Sequence, residues 1–258
     1  MTTSSAVHLG CANGVRNIVE NLLRALELCV FPKHCLLCGA NENYICHACE
    51  GGIRYVLTYS CVICKGPCFD GFIHTNCTSA QTPNRFLAAF EYKGVIKEAL
   101  ISAKYKKKIF DLYGLLVDLA CEYFESIGLE IGADAIIVPI PSGKRKYKKR
   151  TFNHALIIAN LFAKKYGVKV VPALIKLKDT PSQSLLNRKE RKRNVKGVFA
   201  AVPRFAQEIK GKDIVVIDDI VTTGATMLSA CKELRKLGKN APRYVYGISL
   251  AYDSLNRK

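Results

Sequence analysis

Long apolar runs and secretory features are missing from this 258-residue chain. No apolar run is long enough to span a bilayer, which excludes insertion into a membrane as a helix. The N-terminus has no basic region followed by an uninterrupted apolar segment and a small-residue cleavage site, so we expect no secretory signal. These absences predict a protein of the reducing cytoplasm.

Acidic residues are scarce, and their scarcity is uneven. The chain has 21 Asp and Glu against 39 Lys and Arg, a net charge of +18. Residues 1–85 contain six basic and five acidic residues, so residues 86–258 carry +17 of that total. Such an excess would attract a polyanionic partner. The alternative is a solvated surface of scattered lysines.

Cysteine is rare after residue 85, where only two of the twelve lie. The other ten come earlier, and in a reducing compartment paired cysteines indicate metal more often than disulfides. Two CxxC pairs with seven residues between them can place four thiolates around one tetrahedral zinc ion. We predict a structural zinc site at Cys35, Cys38, Cys46 and Cys49.

A second, less regular set of ligands follows. Its spacing predicts another zinc site at Cys61, Cys64, His74 and Cys77, with Cys68 competing with His74 for the fourth place. A degenerate site with a few buried thiols is the alternative. Because so short a segment has little apolar core, the metal would first stabilise the fold. The near-neutral charge of residues 1–85 argues against a primary role in nucleic-acid binding.

The segment 213–227 combines a strand, two acids, a turn and the start of a helix. A β-branched apolar run predicts a strand buried on both faces. Asp218 and Asp219 follow and suit sugar hydroxyls or a cation. Gly224 would let a ligand approach the backbone, and hydroxyls at Thr222, Thr223 and Thr226 can donate to phosphate oxygens. An ordinary buried strand followed by an Asx turn and a helix cap is the alternative.

The remaining pattern predicts an α/β fold with a parallel sheet flanked by helices. A turn-rich stretch at residues 82–85 divides the chain into a zinc module, 1–85, and a larger domain, 86–258. A strand over 135–141 leads into Ser142, Gly143 and Lys144, a loop suited to pyrophosphate. The other predicted elements are a helix over 15–31, a strand over 86–92, helices over 94–108, 112–127 and 152–166, and a strand over 168–175.

A long basic segment covers residues 179–196, with Arg188, Arg191 and Arg193 among its cations. Three interpretations remain open. The segment could close over a ligand and exclude water, it could bind single-stranded DNA, or it could be a solvated surface.

Residues 213–227 resemble the phosphoribosyl pyrophosphate (PRPP) motif of type I phosphoribosyltransferases. Further segments in the same order, Val138-Pro139-Ile140-Pro141, Arg150-Thr151-Phe152-Asn153-His154, Thr180-Pro181-Ser182-Gln183 and Asn194-Val195-Lys196-Gly197, are similar to the ComF family. That family joins a cysteine-rich zinc ribbon to a phosphoribosyltransferase-like domain. Thr151 and His154 stand where the family has Gly and Gln, and His74 stands where it tends to have Cys.

The resemblance implies PRPP bound with magnesium. Asp218 and Asp219 would bind the ribose hydroxyls, Ser142, Gly143 and Lys144 the pyrophosphate, and the turn the 5′-phosphate through Thr222, Thr223, Gly224, Ala225 and Thr226. The sequence identifies neither a catalytic nucleophile nor an acceptor, so phosphoribosyl transfer is one hypothesis. The other is an accessory protein of DNA uptake in natural competence, which binds single-stranded DNA and competence or recombination proteins.

Overall fold

The structure is a computed structural model that describes residues 33–41, 43–79, 82–105, 109–143, 152–178 and 197–253. The chain divides into two compact units, Met1–Gly52 and Ile53–Lys258. In the first unit a tight turn after Cys35 is followed by the short helix α1, His47–Glu50. The helix predicted over residues 15–31 lies outside the described residues.

A five-stranded parallel sheet forms the centre of the second unit. The strands of this unit are β1 Arg85–Glu91, β2 Ile136–Pro139, β3 Lys169–Val170, β4 Leu174–Lys176, β5 Phe199–Ala201, β6 Asp213–Val221 and β7 Tyr244–Tyr252. The sheet has the strand order β1-β7-β6-β2-β3, and its neighbouring strands β6 and β2 are largely buried apolar runs, as expected for a sheet covered on both faces. A separate antiparallel pair, β4 and β5, lies outside this sheet.

Helices connect the parallel strands and cover the sheet. They are α2 Gly94–Tyr105, α3 Ile109–Ser126, α4 His154–Tyr166, α5 Ala206–Ile209 and α6 Ala225–Arg235. Helix α6 packs through Met227 and Leu234 on the face of the sheet that carries Ile214 and Val216. Because side chains alternate along a strand, Val215 and Ile217 belong to the opposite face, where α3 and α4 pack together. No helix in the described ranges has the length and apolarity that crossing a membrane requires.

The strand predicted over residues 168–175 is in fact two short strands. Lys169 and Val170 pair with β2, and Val171 N–H still donates to Ile137 O, at 2.9 Å. The next residue is Pro172, which has no N–H to continue the ladder. The chain therefore leaves the sheet, and Leu174–Lys176 pairs with Phe199–Ala201 instead.

The boundary that the sequence indicates at residues 82–85 falls inside the second unit. The segment before it is attached to β1, since Phe72 forms an antiparallel bridge with Arg85 and Tyr55 forms one with Phe90. Gly71 lies so close to β1 that a Cβ there would be 2.4 Å from Phe86 O. Residues 53–79, with the second set of zinc ligands, therefore fold with the sheet.

Candidate ligand cleft and zinc sites

A polar cleft opens where β2 and β6 end. The two strands are parallel neighbours, paired from Ile136 with Ile214 to Pro139 with Ile217, so their carboxyl ends meet at one edge of the sheet. This edge is where open α/β sheets bind ligands. The cleft is lined by residues from the loop after β2, the start of α4, the end of β6 and the first turn of α6, among them Ser142, Gly143, Asn153, Asp218, Asp219 and Thr226.

The two acids at the end of β6 are oriented by backbone hydrogen bonds. Asp218 Oδ1 accepts from Asp219 N–H at 2.9 Å, and Asp219 Oδ1 accepts from Ile220 N–H at 2.8 Å. Burial raises the pKa of Asp218 well above its ordinary value, and the adjacent charge of Asp219 raises it further.

Asp219 differs from Asp218 because a lysine lies beside it. Lys104, near the end of α2, places Nζ 2.7 Å from Asp219 Oδ2. Burial alone would raise the pKa of Asp219, but the Lys104 ammonium lowers it to about 2. The pair thus contains one firmly ionised carboxylate and one that resists ionisation. Such a separation of two neighbouring pKa values is typical of functional sites.

The turn between β6 and α6 is built around Gly224, the N-cap of the helix. Its φ of +77° is a left-handed conformation that favours glycine. A Cβ at this position would lie 2.2 Å from Val62 Cγ2. The side of Gly224 on which a Cβ would lie therefore faces Val62, and the absence of a side chain lets these two segments approach closely. Thr223 is buried, and its hydroxyl accepts from Ala225 N–H at 3.3 Å.

The first four predicted zinc ligands converge. One ligand atom from each of Cys35, Cys38, Cys46 and Cys49 lies within 4.8 Å of the others, and Cys38 Sγ is 3.5 Å from Cys46 Sγ. Burial opposes ionisation of Cys35, but the backbone N–H groups of Cys38 and Cys46 lower the pKa of its thiol to about 6. The cluster could hold zinc, as the two CxxC pairs predict.

The second set also converges, with His74 and not Cys68 in the fourth place: one ligand atom from each of Cys61, Cys64, His74 and Cys77 lies within 4.8 Å of the others. His74 Nδ1 is 3.3 Å from Cys64 Sγ, while His74 Nε2 is 2.8 Å from Pro67 O. A carbonyl only accepts, so Nε2 carries the proton and Nδ1 offers its lone pair to a metal. These residues also fit zinc.

Some predicted ligand residues cannot be placed. Lys144, Arg188, Arg191 and Arg193 lie outside the described residues, as does most of the basic segment 179–196. Ser142, Gly143 and Thr226 do line the cleft with the two acids. The structure therefore brings together part of the predicted set, from two separate segments of the chain.

Sequence reasoning missed two features of the cleft. Lys104 lies within the helix predicted over residues 94–108, and spacing along the chain does not show that this helix places a lysine beside β6. His154 was noted as a departure from the family pattern, and the structure places it, buried, in the lining of the cleft, with its ring centroid 5.7 Å from that of Tyr113. A polar residue at the start of a helix that follows a cleft-forming loop is the signal that could have identified it.

The comparisons with known proteins agree with this geometry. A family model described as "Phosphoribosyl transferase domain" matches residues 153–240. Competence protein ComFC of Bacillus subtilis is 25% identical over 214 residues, which cover 78% of this chain and 81% of that protein. Competence protein F of Haemophilus influenzae is 30% identical over 104 residues, or 40% of this chain and 44% of that protein.

The chain is thus similar to proteins that are named for competence. It is also 28% identical over 106 residues to DNA utilization protein YhgH of Escherichia coli strain K12, covering 41% of this chain and 45% of YhgH. The match thus spans less than half of competence protein F and of YhgH. Among solved structures, adenine phosphoribosyltransferase from Saccharomyces cerevisiae is 15% identical, with 60% of this chain and 75% of that chain covered and a TM-score of 0.35.

Two interpretations of the sequence are thereby confirmed. Its relatives carry the competence names that the resemblance implied, and its sheet is parallel and flanked by helices, with a phosphoribosyltransferase domain match over the acid pair and turn. The cysteine clusters fit the zinc ribbon that accompanies this domain.

Proposed function

We propose that this chain binds PRPP together with magnesium in the cleft at the ends of β2 and β6. The observation that carries the proposal is the conjunction, around one cleft, of an acid pair, a helix-capping turn and a small-residue loop. An isolated acid pair would not by itself indicate a ligand site. Three groups with complementary chemistry, from two separate segments of the chain, match one ligand that has a polyol between two phosphate groups.

The chemistry of each segment indicates which part of the ligand it would bind. Carboxylates accept hydrogen bonds and repel phosphate, so Asp218 and Asp219 suit the ribose hydroxyls. The turn, residues 222–226, includes the N-cap and the first two residues of an 11-residue helix whose first N–H groups favour an anion, which suits the 5′-phosphate. Ser142 and Gly143, with Lys144, would then face the pyrophosphate.

Magnesium fits the donor set, because carboxylate oxygens are the ligands that this hard cation prefers. Asp218 and Asp219 are the residues near which it would lie, with substrate oxygens completing its shell. When bound, the ion would neutralise charge on the pyrophosphate. Zinc is proposed for the two cysteine clusters, where it would crosslink the chain and take no part in chemistry at the cleft.

Transfer of the phosphoribosyl group to an acceptor is the activity that such a site supports. The protein's contribution would be positioning and charge stabilisation while the bond between the ribose and pyrophosphate breaks. No residue is proposed as nucleophile, because that role belongs to the acceptor. Binding of PRPP is therefore the first property to measure.

The test is calorimetric titration of the zinc-loaded protein with PRPP and magnesium. The Asp218→Asn/Asp219→Asn double variant is the matched control, since it preserves shape and removes both charges. Binding by the unaltered protein alone supports the proposal, and acceptors can then be screened by pyrophosphate release. Absence of binding by either protein would overturn it.

A second candidate function is the binding of single-stranded DNA. Its support is the +17 net charge of residues 86–258, together with relatives named for competence and DNA utilization. Basic grooves bind the backbone of single strands through phosphate contacts that weaken as salt rises. The basic segment 179–196 is the proposed contact surface, and competence or recombination proteins are the proposed protein partners.

Charge reversal at Arg188, Arg191 and Arg193 tests this second function. The expected result is weaker binding of a labelled oligonucleotide and a smaller dependence of affinity on salt concentration. The acid-pair variant should retain DNA binding if the two surfaces are separate. Unchanged DNA affinity after charge reversal would show that this segment is not the contact surface.

A further inference from the structure

The second zinc cluster contains a backbone conformation that its sequence does not favour. In the first cluster the residue after the CxxC pair is Gly39, with φ of +80°, and its N–H donates to Cys35 O at 2.9 Å. In the second cluster the same place is taken by Lys65, with φ of +70° and the same bond to Cys61 O, also 2.9 Å. A residue with a Cβ is strained in this conformation.

The side chain of Lys65 supplies a reason for the lysine. Its ammonium donates to Val62 O at 2.9 Å and to Thr223 O at 2.8 Å. It also lies 5.8 Å from the centroid of the Tyr252 ring, at the end of β7. Charge-assisted hydrogen bonds of this kind are stronger than neutral ones. Residues 61–65 form a turn that we call the knuckle. The left-handed backbone of Lys65 at the end of this knuckle directs its ammonium toward the turn between β6 and α6.

The contact with Thr223 O fixes the orientation of one peptide group. Thr223 O belongs to the peptide that leads into Gly224, the N-cap of α6. A trans peptide is planar and places its C=O and N–H on opposite sides. Because Lys65 holds the Thr223 carbonyl toward the knuckle, the N–H of Gly224 points away from the knuckle.

Val62, from the same knuckle, contacts the same turn. The space in which a Gly224 Cβ would lie is filled by Val62 Cγ2, and Val62 is buried in the core with Met227 and Val221. The knuckle therefore supports the turn through two neighbouring contacts, an apolar contact from Val62 and a charge-assisted hydrogen bond from Lys65 to Thr223 O. Thr226, in the first turn of α6, lines the cleft beyond it.

We infer that the second zinc site is a structural part of the phosphate-binding turn, and that Lys65 is a positioning residue for the 5′-phosphate. This inference rests on the proposed PRPP function. The zinc ligands Cys61 and Cys64 hold the knuckle in shape, the knuckle holds Lys65, and Lys65 orients the Thr223–Gly224 peptide toward the ligand. Loss of the Lys65 contact removes one of the two contacts that support the turn. Lys65 acts on the ligand only through this peptide group.

Two substitutions separate positioning from folding. Lys65→Gly removes the ammonium and also the backbone strain, and it recreates the residue found in the first knuckle, so zinc should be retained. Lys65→Met removes the charge and keeps the stem. The matched control is Lys212→Met, which deletes one lysine at an exposed position whose ammonium lies 3.4 Å from Asp134.

The experiment is calorimetry of the zinc-loaded full chain with three ligands: PRPP with magnesium, ribose 5-phosphate, and pyrophosphate with magnesium. Both Lys65 variants should bind PRPP and ribose 5-phosphate at least tenfold more weakly. Their affinity for pyrophosphate should not change, because that group lies at the other end of the cleft. Zinc content should stay at two per chain, and Lys212→Met should behave like the unaltered protein.

The outcomes are distinguishable. If the unaltered protein binds PRPP and the Lys65 variants bind it equally well, the inference is wrong and the proposed function stands. Equal weakening toward ribose 5-phosphate and pyrophosphate would also overturn it, since general loosening of the fold affects both. Absence of PRPP binding by the unaltered protein would overturn the proposed function and this inference with it.

Discussion

Lys104 and Asp219 form an ion pair, 2.7 Å from Nζ to Oδ2, at the carboxyl end of β6. Only 15% of the lysine side chain and 16% of the aspartate side chain are exposed, so water screens the pair weakly. The pair joins α2 to the strand that carries the candidate site. The ion pair also separates the pKa values of the two acids. The Lys104 ammonium lowers the pKa of Asp219, whereas burial keeps the pKa of Asp218 raised.

Replacing Lys104 by methionine should raise the pKa of Asp219 above its ordinary value, because burial then acts without the cation that opposes it. The lowered pKa, from 3.8 to about 2, corresponds to roughly 2 kcal/mol of stability, and this should be lost at pH 7. Since the folded-state pKa lies below the ordinary one, that stabilisation is present above about pH 4 and disappears toward pH 2. Urea unfolding at pH 7 measures the loss.

A carboxyl-detected NMR titration checks the cause. Between pH 7 and pH 4 the Asp219 carboxyl of the unaltered protein should show no titration, and that of the Lys104→Met variant should titrate within this range. Lys212→Met, at an exposed ion pair, should change stability by less than about 0.5 kcal/mol. A flat Asp219 titration in both proteins would contradict the assigned role of Lys104.

Replacing Gly224 by alanine should destabilise the fold for two reasons. The left-handed φ strains any residue with a Cβ, and the new methyl group would meet Val62 Cγ2. Together these effects predict a loss of about 2–4 kcal/mol in denaturant unfolding. In the Val62→Ala background, which removes the clashing methyl groups, the same substitution should cost less. Strictly additive losses would show that the two residues do not touch.

Substitutions at His74 test the composition of the second cluster. His74→Cys keeps a zinc ligand and should preserve two zinc ions per chain. His74→Ala should release one of the two, because Cys68 is not among the atoms that converge. Native mass spectrometry counts the bound metal directly, and Cys68→Ser serves as the control that should retain both. Loss of zinc from Cys68→Ser with retention in His74→Ala would reverse the assignment.

Features that depend on local pattern could be predicted from the sequence. The CxxC spacing predicts the first cluster, the β-branched run predicts β6, and the Thr/Gly segment predicts the turn before α6. Each of these depends on neighbours a few residues apart. The position of Asp218 and Asp219 at the end of a parallel strand follows from the same local logic.

Features that join distant segments could not be predicted. Lys65 and Thr223 are 158 residues apart, and only the fold brings the ammonium to the carbonyl. The left-handed conformation of Gly224 could be anticipated, but nothing local shows that Val62 fills the space beside its Cα. Pro172 could have indicated that the predicted strand over residues 168–175 is interrupted. The apolar residues on either side of it nevertheless favoured a single continuous strand.

Asp218→Asn and Asp219→Asn should change stability in opposite directions. Because the folded-state pKa of Asp218 is raised, ionising this carboxyl in the folded protein lowers the free energy of unfolding, and this loss appears as pH rises. A neutral asparagine does not ionise, so the Asp218→Asn variant should be more stable than the unaltered protein at pH 8. The gain should shrink as pH falls toward 4. Asp219→Asn leaves the Lys104 ammonium beside a neutral amide and should cost about 2 kcal/mol at pH 7. Denaturant unfolding across this pH range measures both.

Both variants should nevertheless lose PRPP affinity, and this combination identifies why Asp218 is present. Asparagine keeps an oxygen that can accept from Asp219 N–H, so the geometry of the strand end is preserved. A substitution that stabilises the protein and abolishes binding marks a residue kept for its ligand at the expense of the fold. If Asp218→Asn instead destabilises the protein at pH 8, the acid is a structural residue, and the burial argument for its raised pKa is wrong.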